Sequence, residues 1–155
     1  MSTANTQNSV QILIASGDRA LAELFVSRLK DRFSVSAIGS REQALQTINS
    51  SQPQLTLLDP TLFPGDLAEK ITAISDKVPG LRIMVIENQT DRAIDQYVLF
   101  KAGAHGFCHD DISGALLNRA VQLVCDGEFW VQRKLIARVI SELSREAGAA
   151  LQVKT

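Results

Sequence analysis

Apolar runs alternate with amphipathic stretches along most of this chain. Short segments that are apolar throughout are each followed by a longer segment whose apolar residues are spaced three or four positions apart. The first pattern is typical of strands buried on both faces, and the second of helices with one apolar side. The predicted strands are "VQILIA", "FSVSAI", "QLTLLD", "LRIMVIE" and "GFCHD". Five strands alternating with five helices predict a doubly wound, parallel α/β sheet, with a sixth helix added near the C-terminal end.

Capping residues mark the predicted helix boundaries. Asp18 precedes "RALAELF" and Ser40 precedes "REQALQTINS", and both residue types are favoured as N-caps. Gly103 closes the fourth predicted helix, and Gly127 separates the fifth from the sixth. We therefore expect Asp18 to act as a helix cap.

Composition indicates one globular domain. The chain has 155 residues, of which 45% are hydrophobic and 21% charged, enough for one ordinary core. Residues 1–9 are polar and predict a disordered leader, residues 10–128 the domain, and residues 129–155 a C-terminal helix or linker. The net charge of -1 gives no argument for nucleic acid binding. Neither a signal peptide nor a membrane span is apparent, so we expect a cytoplasmic protein without membrane contact.

Candidate site residues lie where the predicted strands end, because doubly wound sheets bind ligands outside the carboxyl ends of their strands. These residues are Ser16, Gly17, Asp18, Asp59, Glu87 and Asp110. The segment "LTLLDPTLFPGD" draws attention to Asp59, a carboxylate that ends an apolar strand. Asp59 is either a reaction site or an ordinary polar residue that closes a core segment.

The order of elements, with Asp59 ending the third strand and "KAGAHGF" leading into the fifth, resembles the receiver domain of bacterial response regulators. The resemblance covers Val10 to about Arg133, and "KAGAHGFCHDDISGALLNRAVQLVCDGEFWVQ" is similar to the NarL/LuxR-type subgroup. It implies a CheY-like sheet with strand order 2-1-3-4-5, and a third-strand aspartate that a histidine kinase phosphorylates. In that subgroup a DNA-binding domain follows the receiver, so we expect DNA contact only through a domain outside this sequence.

The resemblance also identifies departures from the family's chemistry. Receivers hold Mg²⁺ with a pair of acidic residues after the first strand, where this chain has Ser16 and Gly17. They place a hydroxyl residue where this chain has Glu87, and a lysine where it has Asp110. Because phosphoryl transfer needs cations that balance its negative charge, these replacements predict that Asp59 is not efficiently phosphorylated.

The loop after Asp59 also departs from the family. Pro60 removes a backbone N–H beside the carboxylate, and Pro64 and Gly65 come one residue later than the family's usual Pro-Gly. Asp18 could supply a carboxylate to a metal only by moving inward from its position as a cap. Mg²⁺ is therefore expected only if the site works conventionally, and no other cofactor is expected.

Two other groups of residues could suggest a metal site. Asp59, Glu87 and Asp110 could form a rearranged carboxylate cluster, although a solvated acidic rim explains the same residues. His105, Cys108 and His109 are close in sequence. Side chains alternate across a strand, so Cys108 should point away from His109.

We therefore expect Cys108 in the core and His109 on the surface, and both Cys108 and Cys125 as free thiols. Phe107 matches the family's fifth-strand aromatic residue, which couples phosphorylation to the surface formed by the fourth helix, fifth strand and fifth helix. Without phosphorylation, plain core packing is the expected role of Phe107.

The last helical segment carries an apolar stripe broad enough to be buried. The stripe consists of Phe129, Val131, Leu135, Ile136, Val139, Ile140 and Leu143. It could pack on its own domain or on a second chain. A homodimer through the fifth or sixth helix is the leading expectation.

Three functional classes remain. We favour an atypical receiver-like module of a two-component response regulator, acting by dimerisation or partner binding in transcription regulation, largely independent of Asp59 phosphorylation. The alternative is a conventional receiver that a histidine kinase phosphorylates at Asp59. A small-molecule sensor or enzyme would need a pocket near Ser16, Gly17 and Asp59. No nucleophile–base pair, P-loop or GxGxxG motif is visible, so we do not expect an enzyme.

Overall fold

The computed structural model describes residues 10–88 and 94–154, apart from the side chains of residues 149–154. Five parallel strands form one sheet in the order β2-β1-β3-β4-β5. The strands are β1 (Gln11–Ala15), β2 (Ser34–Ile38), β3 (Leu55–Leu58), β4 (Arg82–Glu87) and β5 (Gly106–His109). The α-helices of the described residues are α1 (Arg19–Leu29), α2 (Arg41–Ser51), α3 (Leu67–Lys77), α4 (Gln96–Ala102), α5 (Gly114–Cys125) and α6 (Arg133–Lys154). The predicted fold class and strand order are confirmed.

Two hydrophobic cores cover the two faces of the sheet, which explains why the central strands are apolar throughout. Ile12 and Ile14 of β1 pack toward α1 and α5, whereas Leu13 and Ala15 of the same strand pack toward α2, α3 and α4. Because strand side chains alternate between faces, a strand covered on both sides favours apolar residues at every position, and Thr56 of β3 is the buried polar exception in these strands. Helices on both faces therefore hold the strand ends in fixed positions.

The predicted caps are confirmed by hydrogen bonds. The Asp18 carboxylate accepts the backbone N–H of Leu21 at 3.1 Å, and the Ser40 hydroxyl accepts that of Gln43 at 3.4 Å. The fourth helix begins later than the pattern "DRAIDQYVLFKAGA" predicted, at Gln96, where Asp95 is the N-cap. The predicted start of that helix at residues 91–93 and the predicted leader at residues 1–9 lie outside the described residues.

The segment after α5 lies along the free edge of β5. The backbone N–H of Phe107 donates to the Trp130 carbonyl at 3.0 Å, and the Trp130 N–H donates to the His105 carbonyl at 3.0 Å. These bonds form an isolated parallel bridge between Gly106 and Trp130. The chain therefore protects part of an edge that would otherwise expose unpaired backbone groups.

Helix α6 then packs across α4. Leu135 is 5% exposed and belongs to the core on that face. Arg138 forms an ion pair with Asp95 at 3.2 Å, and its guanidinium lies 4.3 Å from the centre of the Tyr97 ring. The first turns of α6 are therefore attached to the sheet domain by apolar, ionic and cation–π contacts.

The predicted apolar stripe is divided in the structure, so packing on its own domain accounts for only part of it. Val131, Leu135 and Val139 pack on the core, but Phe129, Ile136, Ile140 and Leu143 stay exposed. Helix α6 begins only at Arg133, so the stripe's first two residues lie outside the helix.

No helix within residues 10–88 and 94–154 is both long enough and apolar enough to cross a membrane.

Candidate functional site

Asp59 is buried at the carboxyl end of β3, with only 3% of its surface exposed. Its Oδ2 accepts the Ser16 hydroxyl at 2.7 Å, and its Oδ1 accepts the Thr61 backbone N–H at 3.0 Å. The second bond caps a short 3-10 helix, Pro60–Leu62, in which Pro60 occupies the first position that tolerates a missing N–H. Both carboxylate oxygens are therefore engaged within the fold.

Ser16 is buried directly after β1 and faces Asp59. Its backbone N–H donates to the Ile38 carbonyl at 3.1 Å, and its Oγ accepts the Asp18 backbone N–H at 3.1 Å. The hydroxyl has a single proton, and its contact with Asp59 Oδ2 at 2.7 Å is much shorter than its contact with the Asp18 carbonyl at 3.4 Å, so the proton is assigned to Asp59. The position that supplies a carboxylate in receivers therefore supplies a neutral donor in this chain.

Gly17 and Asp18 do not contribute groups to this site. Asp18 is exposed, and its carboxylate caps α1 by accepting the Leu21 N–H. Gly17 has room for a side chain, because an added Cβ would lie 3.5 Å from Leu62 Cδ2, an ordinary contact distance. Asp18 therefore uses its carboxylate as a helix cap, and Gly17 has no side chain that could bind a metal.

Glu87 and Asp110 lie together at the neighbouring strand ends. Glu87 ends β4, is half-buried, and accepts a hydrogen bond from the Gln96 side-chain amide of α4. The Asp110 backbone N–H donates to the Glu87 carbonyl at 2.9 Å. Burial, with these two carboxylates nearby, raises the pKa of the Cys108 thiol to about 12. The structure thus confirms two acids on the β4–β5 side of the sheet edge.

The acids at this edge have no basic partner among the residues that the structure describes. The ion pairs within the described part of the chain are Arg19–Glu23, Arg41–Asp66, Arg138–Asp95 and Arg145–Glu142. None of them includes Asp59, Glu87 or Asp110. No lysine or arginine of the described residues forms an ion pair with Asp59, although Lys134 and Arg138 line a cleft that also includes Glu87.

The metal alternatives are not supported by the geometry. Within the described ranges, no group of three or more His, Cys, Asp or Glu side chains could hold a metal ion, so the rearranged carboxylate cluster is not formed. Cys108 is buried in the core and His109 is exposed, as expected. His105 Nδ1 accepts the Ile83 backbone N–H at 3.1 Å, and its ring stacks on Phe129. Cys108 lies in the core on the α1 and α5 face, and the described residues form no metal-binding group that includes these three side chains.

Phe107 is buried in the core on the α3 and α4 face, where it shares a cluster with Val85 and Leu99. Cys125 is a half-buried free thiol, and burial raises its pKa to about 11. Phe107 is packed in the core, and Cys108 and Cys125 are both free thiols.

A cleft of about 580 Å³ lies between α1 and β2. Ser16, Gly17 and Gly39 are among its lining residues, but Asp59 is not. The pocket that a small-molecule sensor would need near Ser16 and Gly17 therefore exists, but it does not reach the carboxylate.

The arrangement of strands and helices matches solved receiver domains. The receiver domain of the response regulator NarL from Mycobacterium tuberculosis superposes with a TM-score of 0.67, at 24% identity over 77% of this chain and 98% of that structure. The chain has the fold of a response-regulator receiver domain. It is 29% identical over 110 residues to the DNA-binding transcriptional activator DevR/DosR of Mycobacterium tuberculosis, covering 70% of this chain and 50% of the relative.

A second relative is the transcriptional regulatory protein DegU of Brevibacillus brevis, which is 25% identical over 143 residues. That match covers 90% of this chain and 60% of the relative. The chain therefore spans roughly half of the length of the regulators it matches. No protein-family model matches the chain.

The sequence alone did not predict two contacts near Asp59. The Ser16–Asp59 hydrogen bond was not foreseen, although both residues were placed at strand ends. The guanidinium of Arg41 also pairs with the Asp66 carboxylate and lies 5.3 Å from the centre of the Phe63 ring, which ties α2 to the loop after Asp59. The only signal for the second contact is the opposite charge of two residues far apart in sequence.

A pH dependence of stability is expected from His105. Burial, together with the nearby Arg82 guanidinium, lowers the pKa of His105 below its ordinary value of 6.5. The unfolded chain then binds a proton at His105 more readily than the folded chain does. The contribution of neutral His105 to the free energy of unfolding is therefore complete above pH 6.5 and is lost as the pH falls below it. Denaturant unfolding across this range should show a smaller pH slope in His105→Asn. The exposed His109→Asn is the matched control, and an equal change in its slope would contradict the assignment.

Proposed function

We propose that this chain is the receiver module of a two-component response regulator, and that it acts by dimerisation or partner binding without requiring phosphorylation of Asp59. The hydrogen bond from Ser16 to Asp59 carries this proposal. In this bond a neutral donor occupies one oxygen of the buried carboxylate. The donor, Ser16, stands at a position where the receiver resemblance implies a ligand for Mg²⁺.

Charge balance supports the same conclusion. The carboxylate of Asp59 is matched by two neutral donors, the Ser16 hydroxyl and the Thr61 N–H. A phosphoryl group would add negative charge at an edge that already holds Glu87 and Asp110. Like charges at short range disfavour an added anion, and phosphoryl transfer depends on cations that offset it. The replacements at this edge therefore favour an Asp59 that does not accept a phosphoryl group.

The regulatory role rests on the relatives. One is named as a DNA-binding transcriptional activator and the other as a transcriptional regulatory protein. Because this chain spans about half of each, we propose that it regulates transcription through association, with DNA contacted by a separate domain. A histidine kinase is its upstream partner only in the conventional alternative.

The test is direct phosphorylation of the full chain. Incubation with acetyl phosphate and Mg²⁺, followed by intact-mass spectrometry, should leave the mass unchanged because Asp59 is buried and lacks cationic support. A conventional receiver treated in parallel shows that the donor is active. A stoichiometric gain of one phosphoryl group that disappears in Asp59→Asn would overturn the proposal and establish the conventional receiver.

A further inference from the structure

Helix α6 has two adjacent apolar sides, and only one of them is covered. Leu135 and Val139 pack on the core that includes α4. Ile136, Ile140 and Leu143 are 46%, 58% and 60% exposed. Three neighbouring large aliphatic side chains on one helix face form a patch that a helix in solution would be expected to cover.

The spacing of the uncovered residues is that of a helix pair. Ile136, Ile140 and Leu143 are separated by four and then three positions, and Ala147 continues the series four positions later. This alternation is the a/d pattern of a two-helix seam, in which side chains of one helix enter holes on another. A single face carrying this pattern can pair with the same face of a second copy about a two-fold axis.

A matching hole lies beside the seam. An apolar groove of about 300 Å³ is lined by Phe100, Phe129, Val131, Ile136, Val139 and Ile140. Phe129 is exposed and its ring packs against Phe100, with centroids 5.4 Å apart. The groove could therefore accept one aliphatic side chain from a neighbouring helix.

Charge selects the orientation of such a pair. Arg133 lies seven positions before Ile140 and therefore on the same seam. A parallel pair would place Arg133 of one copy against Arg133 of the other. An antiparallel pair centred near Ile140 instead places Arg133 beside Glu146 of the second copy, and Leu143 beside Ile136 and its groove. Only the antiparallel arrangement joins opposite charges.

The neighbouring surface is less available. Trp130 already pairs with the edge of β5, and α6 itself lies over α4 through Leu135 and Arg138. A second copy cannot extend the sheet at the part of the edge that Trp130 occupies.

We propose that two copies of this chain associate through an antiparallel pair of α6 helices centred near Ile140, with Leu143 of each copy in the other's groove. This inference rests on the proposed function, because it names the surface through which the module dimerises.

Sedimentation velocity over a concentration series of the full chain tests the interface. The wild type should show a monomer–dimer equilibrium, and Ile140→Glu and Leu143→Glu should each raise the dissociation constant by about tenfold or more, because a charge would be buried in an apolar seam. Leu116→Glu is the matched control, since Leu116 is 49% exposed on α5 and lies outside the seam. Unchanged circular dichroism and melting temperature show that each variant is folded.

Charge reversal tests the orientation. Arg133→Glu and Glu146→Arg should each weaken association several-fold, and the double variant should restore it, because each contact again joins opposite charges. A parallel pair would not be restored by the double variant.

Two results would overturn the inference: a wild-type chain that stays monomeric at submillimolar concentration, or a dimer that Leu116→Glu disrupts and the α6 substitutions do not. Phosphorylation of Asp59 in the mass experiment would remove the proposed function alone. A dimer that depends on α6 would then still support the inference.

Discussion

Replacing Ser16 with aspartate is expected to lower the free energy of unfolding by about 2–4 kcal/mol in metal-free buffer. The Ser16 hydroxyl lies 2.7 Å from Asp59 Oδ2, and both residues are buried. The substitution removes a donor and sets a second carboxylate against the first, where burial makes two negative charges costly. Urea denaturation followed by the fluorescence of the single tryptophan, Trp130, measures the change.

Three controls separate the two causes of this loss, which are the missing donor and the repulsion between two carboxylates. Ser16→Ala removes only the donor and should cost about 1–2 kcal/mol. The double variant Ser16→Asp/Asp59→Asn should recover much of the stability, because the new amide can donate to the new carboxylate. Mg²⁺ should stabilise Ser16→Asp, since paired carboxylates are the ligands this ion prefers, and it should leave the wild type unchanged. Equal stabilisation of the wild type would show that its site already binds the ion.

Leu135→Ala is expected to lower the free energy of unfolding by about 2–4 kcal/mol, as large-to-small substitutions in well-packed cores do. Leu135 is 5% exposed and packs with the core on the α4 face. Chemical denaturation measures the change. The adjacent Ile136→Ala is the matched control and should cost less than about 1 kcal/mol, because Ile136 is largely exposed and its removal leaves no cavity.

This pair of variants also tests where the domain ends. The sequence predicted a receiver-like domain of residues 10–128 followed by a helix or linker at residues 129–155. The contacts of Trp130 with β5 and of Leu135 with the core lead us to propose that the folded unit extends into α6. Equal and small effects of Leu135→Ala and Ile136→Ala would instead favour a linker that stabilises little.

The resemblance, and what it implied for Asp59, depended on features that are local in sequence. Strand ends are visible in the pattern because an apolar run stops there, so the order of residues alone was enough to place Asp59, Glu87 and Asp110 at one edge of the sheet. The contacts of each carboxylate could not be predicted in this way. The partner of Asp59 comes from another strand, and its distance depends on how β1 and β3 align.

The order of residues was enough to predict the α/β alternation, the caps at Asp18 and Ser40, and the position of acids at the carboxyl edge of the sheet. These features follow from the period of apolar residues and from short-range capping, both of which are properties of neighbouring residues. The packed fold was needed to show that Ser16 hydrogen-bonds to Asp59, and that the apolar stripe of α6 divides into a covered and an uncovered side. A period shows which side of a helix is apolar, but the element that covers that side is set by packing between segments distant in sequence.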